Sequence, residues 1–203
     1  MMLTLRRAGV SDARVLTAFD QCVRGDFLDP AYSEMVQEDV AIPLPCGQTS
    51  LKPSLLALML EALQTGPAQR ILLVGAGSGY GAAILARLAA QVVGLERFHT
   101  LRDLAEANLQ RAGLSNALVQ LADGLNFTSA LAFDRVLIAG AVAAPPAGLM
   151  KALKPGGVMV APLISPFGAR VAAIRPQAKG EPVQIDLFAV EIPRLEPGVA
   201  QRL

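Results

Sequence analysis

The chain has 203 residues, 53% hydrophobic and 17% charged, with 18 Gly and 14 Pro, which excludes a disordered tail, a coiled coil and a multidomain assembly. Lys and Arg number 18 against 17 Asp and Glu, so no surplus charge is available to neutralise a nucleic-acid backbone or to hold an anionic membrane surface. Two cysteines, Cys22 and Cys46, and one histidine, His99, are too few for a disulfide scaffold or a Cys/His metal cluster; both thiols are expected to be free and no metal is expected.

Met1 to Val10 carries Arg6 and Arg7 behind only a few apolar residues and lacks the apolar run and small-residue cleavage site of a secretory signal. The longest uncharged stretches, Val136 to Met150 and Pro155 to Ala169, are too short and too broken by Pro and Gly to span a bilayer. A soluble, cytoplasmic protein is expected. Ser11 and Asp12 suit a helix cap, and Val15, Leu16 and Phe19 share one helical face, which predicts a short amphipathic helix over 11–20. A polar, turn-rich stretch from Arg24 to Gln37 leads into Ala41-Ile-Pro-Leu-Pro-Cys-Gly-Gln-Thr-Ser50, which reads as a loop over a site. Pro53 then opens a helix with Leu55, Leu56, Met59, Leu60 and Leu63 as its core face, and Gly66-Pro67 stops it.

From residue 70 short apolar runs alternate with helical patterns, the sign of βαβ units and a parallel sheet. The predicted strands are 70–74, 91–95, 117–121, 134–139 and 157–163, with helices at 79–90, 98–112 and 146–153 between them. Lys154-Pro-Gly-Gly157 ends the last helix. Arg170 to Arg175 and Val183 to Val190 predict an antiparallel hairpin at the sheet edge. The division expected is an amino-terminal helical and acceptor-loop part over 1–66 and a core over 67–203, within one compact unit.

Ile71-Leu-Leu-Val-Gly-Ala-Gly-Ser-Gly-Tyr-Gly81 runs a strand straight into glycines and then a helix. Glycines there allow a tight turn and close ligand approach, while the helix start presents unpaired N–H groups. A dinucleotide fingerprint needs its third glycine at position 80, which is Tyr80; Gly75, Gly77 and Gly79 instead suit a nucleoside-sulfonium pocket. A tight turn without a ligand is the plain alternative. Glu96 ends the second core strand about twenty residues further on, where an acid can accept both ribose hydroxyls, or can be an exposed charge favoured by a helix dipole. Asp123 can accept from an adenine amino group or cap a turn. Asp134 reads as a turn residue where the fourth strand starts, His99 as a surface histidine, and Cys46 as an unreactive thiol.

Taken together, these residues resemble the protein-L-isoaspartate O-methyltransferase family over almost the whole chain. Arg24 followed by Phe27, and Ala41-Ile-Pro-Leu44 before Gly47-Gln-Thr49, look like its amino-terminal part. Tyr80, Glu96-Arg97, Asp123-Gly124 and Leu153-Lys-Pro-Gly-Gly157 look like its cofactor-binding core. The Gly-Gln-Thr element is the specific part, because methyltransferases in general share only the core. The resemblance implies an α/β, Rossmann-like S-adenosylmethionine-dependent methyltransferase fold with an amino-terminal helical subdomain. It also implies S-adenosylmethionine as donor, bound through Gly75, Gly77, Gly79, Tyr80, Glu96 and Asp123, and isoaspartyl-containing proteins or peptides as acceptors and partners.

Several positions depart from the family pattern. The serine that contacts the acceptor is Leu51, with Ser50 one place early; the acid that normally ends the first core strand is Leu73. Ala139-Gly-Ala-Val-Ala-Ala-Pro-Pro146 lacks the family's Thr-Ala-Ala-Pro-Pro-like order, and Val190-Glu-Ile-Pro-Arg-Leu195 differs from its Arg-Phe-Val-Pro-Leu ending. Ser50 is the candidate replacement for the serine. Lys52, where the family usually has Gln, is a candidate cation for an acidic acceptor, or else a solvent-exposed lysine at a helix start. The readings beside isoaspartyl repair are a relative methylating another acceptor, a non-catalytic cofactor-binding or interaction protein, and, last, a nicotinamide-dependent oxidoreductase.

Overall fold

The computed structural model describes residues 1–177 and 179–200, so the last three residues of the expected core unit lie outside it. Two short helices, α1 (Met2–Arg7) and α2 (Ala13–Asp20), are followed by 3-10 turns, by a small hairpin of β1 (Pro43–Leu44) and β2 (Gln48–Thr49), and by α3 (Pro53–Leu63). The core then runs β3 (Arg70–Val74), α4 (Tyr80–Ala86), β4 (Gln91–Glu96), α5 (His99–Arg111), β5 (Ala117–Leu121), β6 (Phe133–Ile138), α6 (Ala147–Lys151), β7 (Leu153–Ser165), β8 (Gly168–Arg175) and β9 (Val183–Val190).

These last strands form one seven-stranded sheet in the order β5-β4-β3-β6-β7-β8-β9. Its first five members are parallel, and β8 and β9 close it as the antiparallel edge hairpin that the sequence predicts. Side chains on neighbouring positions face opposite sides of a strand. Accordingly Ile71, Leu73 and Leu137 join one apolar cluster, and Leu72, Val74 and Ile138 join the other. Burial on both faces explains why β3 reads as a continuous apolar run. The first cluster also takes in Leu5 of α1, Val15 and Phe19 of α2 and Met59 and Leu60 of α3, so the amino-terminal helices share a core with the sheet.

The Ser11-Asp12 cap of α2 is formed: Asp12 Oδ1 accepts from Arg14 N at 2.8 Å, and Glu61 of α3 accepts from Ser11 Oγ at 2.6 Å and Asp12 N at 2.8 Å. Helix α4 is shorter than the 79–90 expected, because Asn116 donates to the carbonyls of Ala86 at 2.8 Å and Ala89 at 3.2 Å and satisfies the chain as it turns off the helix. Strand β7 starts earlier than expected. Phe133 pairs with Leu153 and Arg135 with Val158, so Lys154 to Gly157 bulge out of the ladder instead of ending a helix outside it.

Asp134 stands, as expected, at the start of β6, and its work is structural. Its carboxylate accepts from Arg70 N at 2.8 Å and from Lys154 Nζ at 3.0 Å. Burial pushes its pKa up, but the Arg70 N–H and the Lys154 ammonium outweigh this and hold the group below the ordinary carboxylate range. A carboxyl whose pKa is lower folded than unfolded adds stability above the unfolded value, about 3.9, and loses it as pH falls through the folded value. Asp134→Ala is therefore expected to cost about 1–2 kcal/mol at pH 7 by urea unfolding, and the gap to the native chain should narrow as the pH falls below 4, on the order of the unfolded carboxyl pKa.

Candidate active site

Connections leave β3 towards β4 and β6 towards β7, in opposite directions across the sheet, and the carboxyl ends of these two strands therefore flank a crevice. A cleft of about 250 Å³ opens there, with Gly75 and Gly77 on its floor, Glu96 at the tip of β4, and Leu44 and Thr49 of the β1–β2 hairpin above. The loop read from the sequence as lying over a site does so.

The glycine turn is tied to β4 by its backbone. Gly75 N and Ala76 N both donate to Leu95 O, at 2.9 and 3.2 Å. Glu96 is 5% exposed and each of its oxygens receives backbone donors: Gly77 N on Oε2 at 2.8 Å, and Arg97 N and Phe98 N on Oε1 at 2.8 and 3.1 Å. Burial raises its pKa and these three N–H groups pull it back. The carboxylate thus fixes the shape of the glycine turn and the angle at which α5 departs. A carboxylate has about four lone-pair positions, so one remains open on Oε2 for a hydroxyl in the cleft.

The other predicted donor contacts divide. Gly79 lines neither the cleft nor the smaller cavity beside it; at φ +89°, a Cβ here would stand 3.1 Å from the Cα and carbonyl of Ala105, so its job is the close approach of α4 to α5. Tyr80 is buried, its ring edge-on to Phe19 at 6.1 Å and tilted against Phe27 at 5.6 Å, and burial pushes its hydroxyl well above the usual range. It reaches only the smaller cavity. Asp123 takes the turn-capping alternative: Oδ1 accepts from Leu125 N at 2.9 Å, and Oδ2 from Asn126 Nδ2 at 2.7 Å and Gly198 N at 2.8 Å. Its neighbours Ala122, Gly124 and Leu125 line the cleft in its place.

The bond to Gly198 exposes a wall of the site that the sequence does not announce. Residues 191–200 cross back over the sheet, with Pro193 O accepting from Ala141 N at 2.8 Å and Leu195 N donating to Ala141 O at 2.9 Å. Arg97 Nε holds Gly198 O at 2.8 Å, and Arg97 O accepts from Ala200 N at 3.0 Å. Pro193, Arg194, Leu195 and Glu196 form one side of the cleft. The packing is close enough that a Cβ on Gly140 would lie 2.5 Å from Leu195 Cδ2.

The smaller cavity, about 60 Å³, shares Gly75, Gly77, Thr49 and Ala139 with the cleft and continues towards α3. Leu51 and Leu73, two of the departures from the family pattern, both line it, and so does Ser50. Lys52 is exposed at the start of α3 and lines neither space, so the structure leaves it in the solvent-facing alternative. His99 is exposed, with Nδ1 3.3 Å from Arg102 Nη2. Both cysteines are free, and burial pushes the Cys22 thiol up to about 11. Among the described residues no group of three or more His, Cys, Asp or Glu could hold a metal ion, and no helix is long and apolar enough to cross a membrane.

Comparison with known proteins gives concordant matches. Residues 1–190 match the family model of protein-L-isoaspartate(D-aspartate) O-methyltransferase. The protein-L-isoaspartate O-methyltransferase of Rhodopseudomonas palustris (strain BisA53) is 41% identical over 203 residues, covering 99% of this chain and 94% of the relative. That of Azorhizobium caulinodans is 41% identical over 205 residues, covering 100% and 94%. A solved protein-L-isoaspartate O-methyltransferase superimposes with a TM-score of 0.84 at 25% identity, covering 98% of this chain and 65% of that one. A Plasmodium falciparum chain described as such an enzyme, in complex with S-adenosyl-L-homocysteine, superimposes with a TM-score of 0.82 at 22% identity, covering 96% of each, which speaks to the fold.

Proposed function

The chain belongs to the protein-L-isoaspartate O-methyltransferase family, and from that premise we propose that it transfers a methyl group from S-adenosylmethionine to the carboxylate of isoaspartyl residues in damaged proteins. The observation that carries the donor side is Glu96, buried at the strand tip with its carboxylate bound to the glycine turn and one oxygen open to the cleft. The residues present fit the group. Gly75 and Gly77 put no Cβ in the way, Glu96 would accept from the sugar, and Phe98, Ala122 and Leu125 would offer the base apolar surroundings.

When bound, S-adenosylmethionine supplies an electrophilic methyl carbon on a sulfonium. The acceptor carboxyl is already ionised at neutral pH, its free pKa being about 4, so the chain need supply no general base. What it supplies is alignment and a partly dry pocket. Leu44, Leu51, Leu56 and Leu73 make the lining of the smaller cavity beside Gly77 largely apolar. Repair or marking of damaged proteins would follow from such methylation, and two free thiols accord with a reducing, cytoplasmic setting.

Calorimetry with S-adenosylhomocysteine and with NAD is expected to give heat only with the first. A labelled-methyl assay on matched isoaspartyl and aspartyl peptides is expected to label only the isoaspartyl one. Heat with NAD alone would remove the donor reading. Donor binding with label on neither peptide would favour the second reading, a methyltransferase with another acceptor, which Leu51 and Leu73 in the smaller cavity support.

A further inference from the structure

We propose that Arg24 is a positioning residue for the methyl acceptor, acting through Ser50; this deepens, and rests on, the isoaspartyl reading above. Arg24 is 4% exposed, in the 3-10 turn Arg24–Phe27. Its guanidinium gathers the chain that leads to the β1–β2 hairpin: Nη1 donates to Glu38 O at 3.0 Å, and Nη2 donates to Val40 O at 2.7 Å and to Ser50 Oγ at 3.2 Å. Ile42 N donates to the same Ser50 oxygen at 3.0 Å.

A serine hydroxyl has two lone pairs and one proton. Here both lone pairs are spoken for, one by a cation and one by a backbone N–H, and among the described residues no group accepts the proton. The hydroxyl can therefore act only as a donor. Ser50 lines the smaller cavity, beside Gly77 and Ala139, which also face the donor cleft. A carboxylate arriving there accepts hydrogen bonds and gives none, and the side chain of Leu51, at the family's serine position, has none to offer. Two donors pulling on the Ser50 oxygen polarise its O–H and make it the stronger partner for an anion. If Arg24 served only to hold the carbonyls of residues 36–40, its reach to Ser50 would be idle.

The test is a set of variants of the full chain read by two measurements: S-adenosylhomocysteine affinity by calorimetry, and kcat and KM for an isoaspartyl peptide. Ser50→Ala is expected to lower kcat about 100-fold, the size of a lost donor to a reacting oxygen, with donor affinity unchanged. Ser50→Thr, which keeps the hydroxyl, should recover most of it. Arg24→Lys should lower kcat about tenfold in the native background and add nothing to Ser50→Ala, because residues acting as one unit are non-additive. Native turnover by Ser50→Ala overturns the proposal, and this arm decides even where Arg24→Lys does not fold. An equal loss from Arg24→Lys in both backgrounds also overturns it, leaving Arg24 a structural staple. If the native chain binds S-adenosylhomocysteine but neither methylates nor binds the peptide, the isoaspartyl reading fails and takes this role with it.

Discussion

Glu96→Gln is expected to weaken S-adenosylhomocysteine binding about 100-fold and to lower methyl transfer by at least as much at donor concentrations below saturation. Hydrogen bonds to a charged acceptor contribute about 1.5–3 kcal/mol, and about 1.4 kcal/mol is a tenfold change in affinity. Glutamine is not a mild replacement here. Oε2 faces the N–H of Gly77 and Oε1 faces those of Arg97 and Phe98, so either amide orientation sets an NH2 against a backbone donor. The turn at Gly77 then shifts as well as losing its anion. The same geometry gives a pH dependence. Burial raises the Glu96 pKa, and a ribose hydroxyl donating to the open position on Oε2 would favour the ionised form, so donor affinity is expected to rise with pH through the free protein's value and to fall away below it. The glutamine variant should be flat over that range. Equal donor affinity for variant and native chain at pH 7, measured by calorimetry, would refute the assignment.

Glu96 and Asp123 differ in where each finds its partners. Glu96 sits at the end of an apolar strand, about twenty residues after a glycine turn, and both features are local in sequence. Asp123 has an equally local cue, the Asp-Gly pair, but one of its oxygens is taken by Gly198, 75 residues away, and no pattern in the chain marks that contact. Gly75, Gly77 and Gly79 look alike as letters. Only the docking of α5 separates them, because Ala105 comes so close to Gly79 that this glycine serves packing while the other two face the cleft. Strands β3, β5 and β9 have the predicted bounds; β3 is buried along nearly its whole length and β9 opens on a two-residue alternation, and both leave clear runs. Helix α1 leaves no such mark in the sequence, because six residues carry too little periodicity; its one cue is Gly9, at φ +101°, where Val10 N returns to Leu5 O at 3.1 Å and closes the helix end. The hydrogen bonds of Ser50 belong to the same class as the Asp123 contact. Arg24 and Ser50 are both visible in the sequence, but that one donates to the other is a property of the folded chain.

Ending the chain at Val190 is expected to leave the sheet folded and to cut S-adenosylhomocysteine affinity about 100-fold. Strand β9 finishes at Val190, so truncation there removes no rung of the seven-stranded sheet. It removes Pro193, Arg194, Leu195 and Glu196 from one side of the cleft, and it frees Ala141, Asp123 and Arg97 to meet water, where their polar groups are not stranded. A cleft open on that side buries less of a ligand and admits water to its polar contacts, and two lost decades of affinity correspond to about 2.7 kcal/mol. Most of the loss should appear as faster dissociation, because a wall that closes over a bound ligand chiefly slows its escape. Asp123→Ala removes the latch together with the turn cap on Leu125 and Asn126. It breaks the bond to Gly198 but leaves the Arg97 and Ala141 contacts, so a loss of about tenfold is expected, the size of one charge-assisted hydrogen bond. Made in the truncated chain, the same substitution should cost less, since Asp123 then has no strap to hold and only its cap on Leu125 and Asn126 is lost. An equal loss in both chains would show that Asp123 acts on the donor site without the strap, and native affinity in the truncated chain would show that residues 191–200 are no part of the donor site.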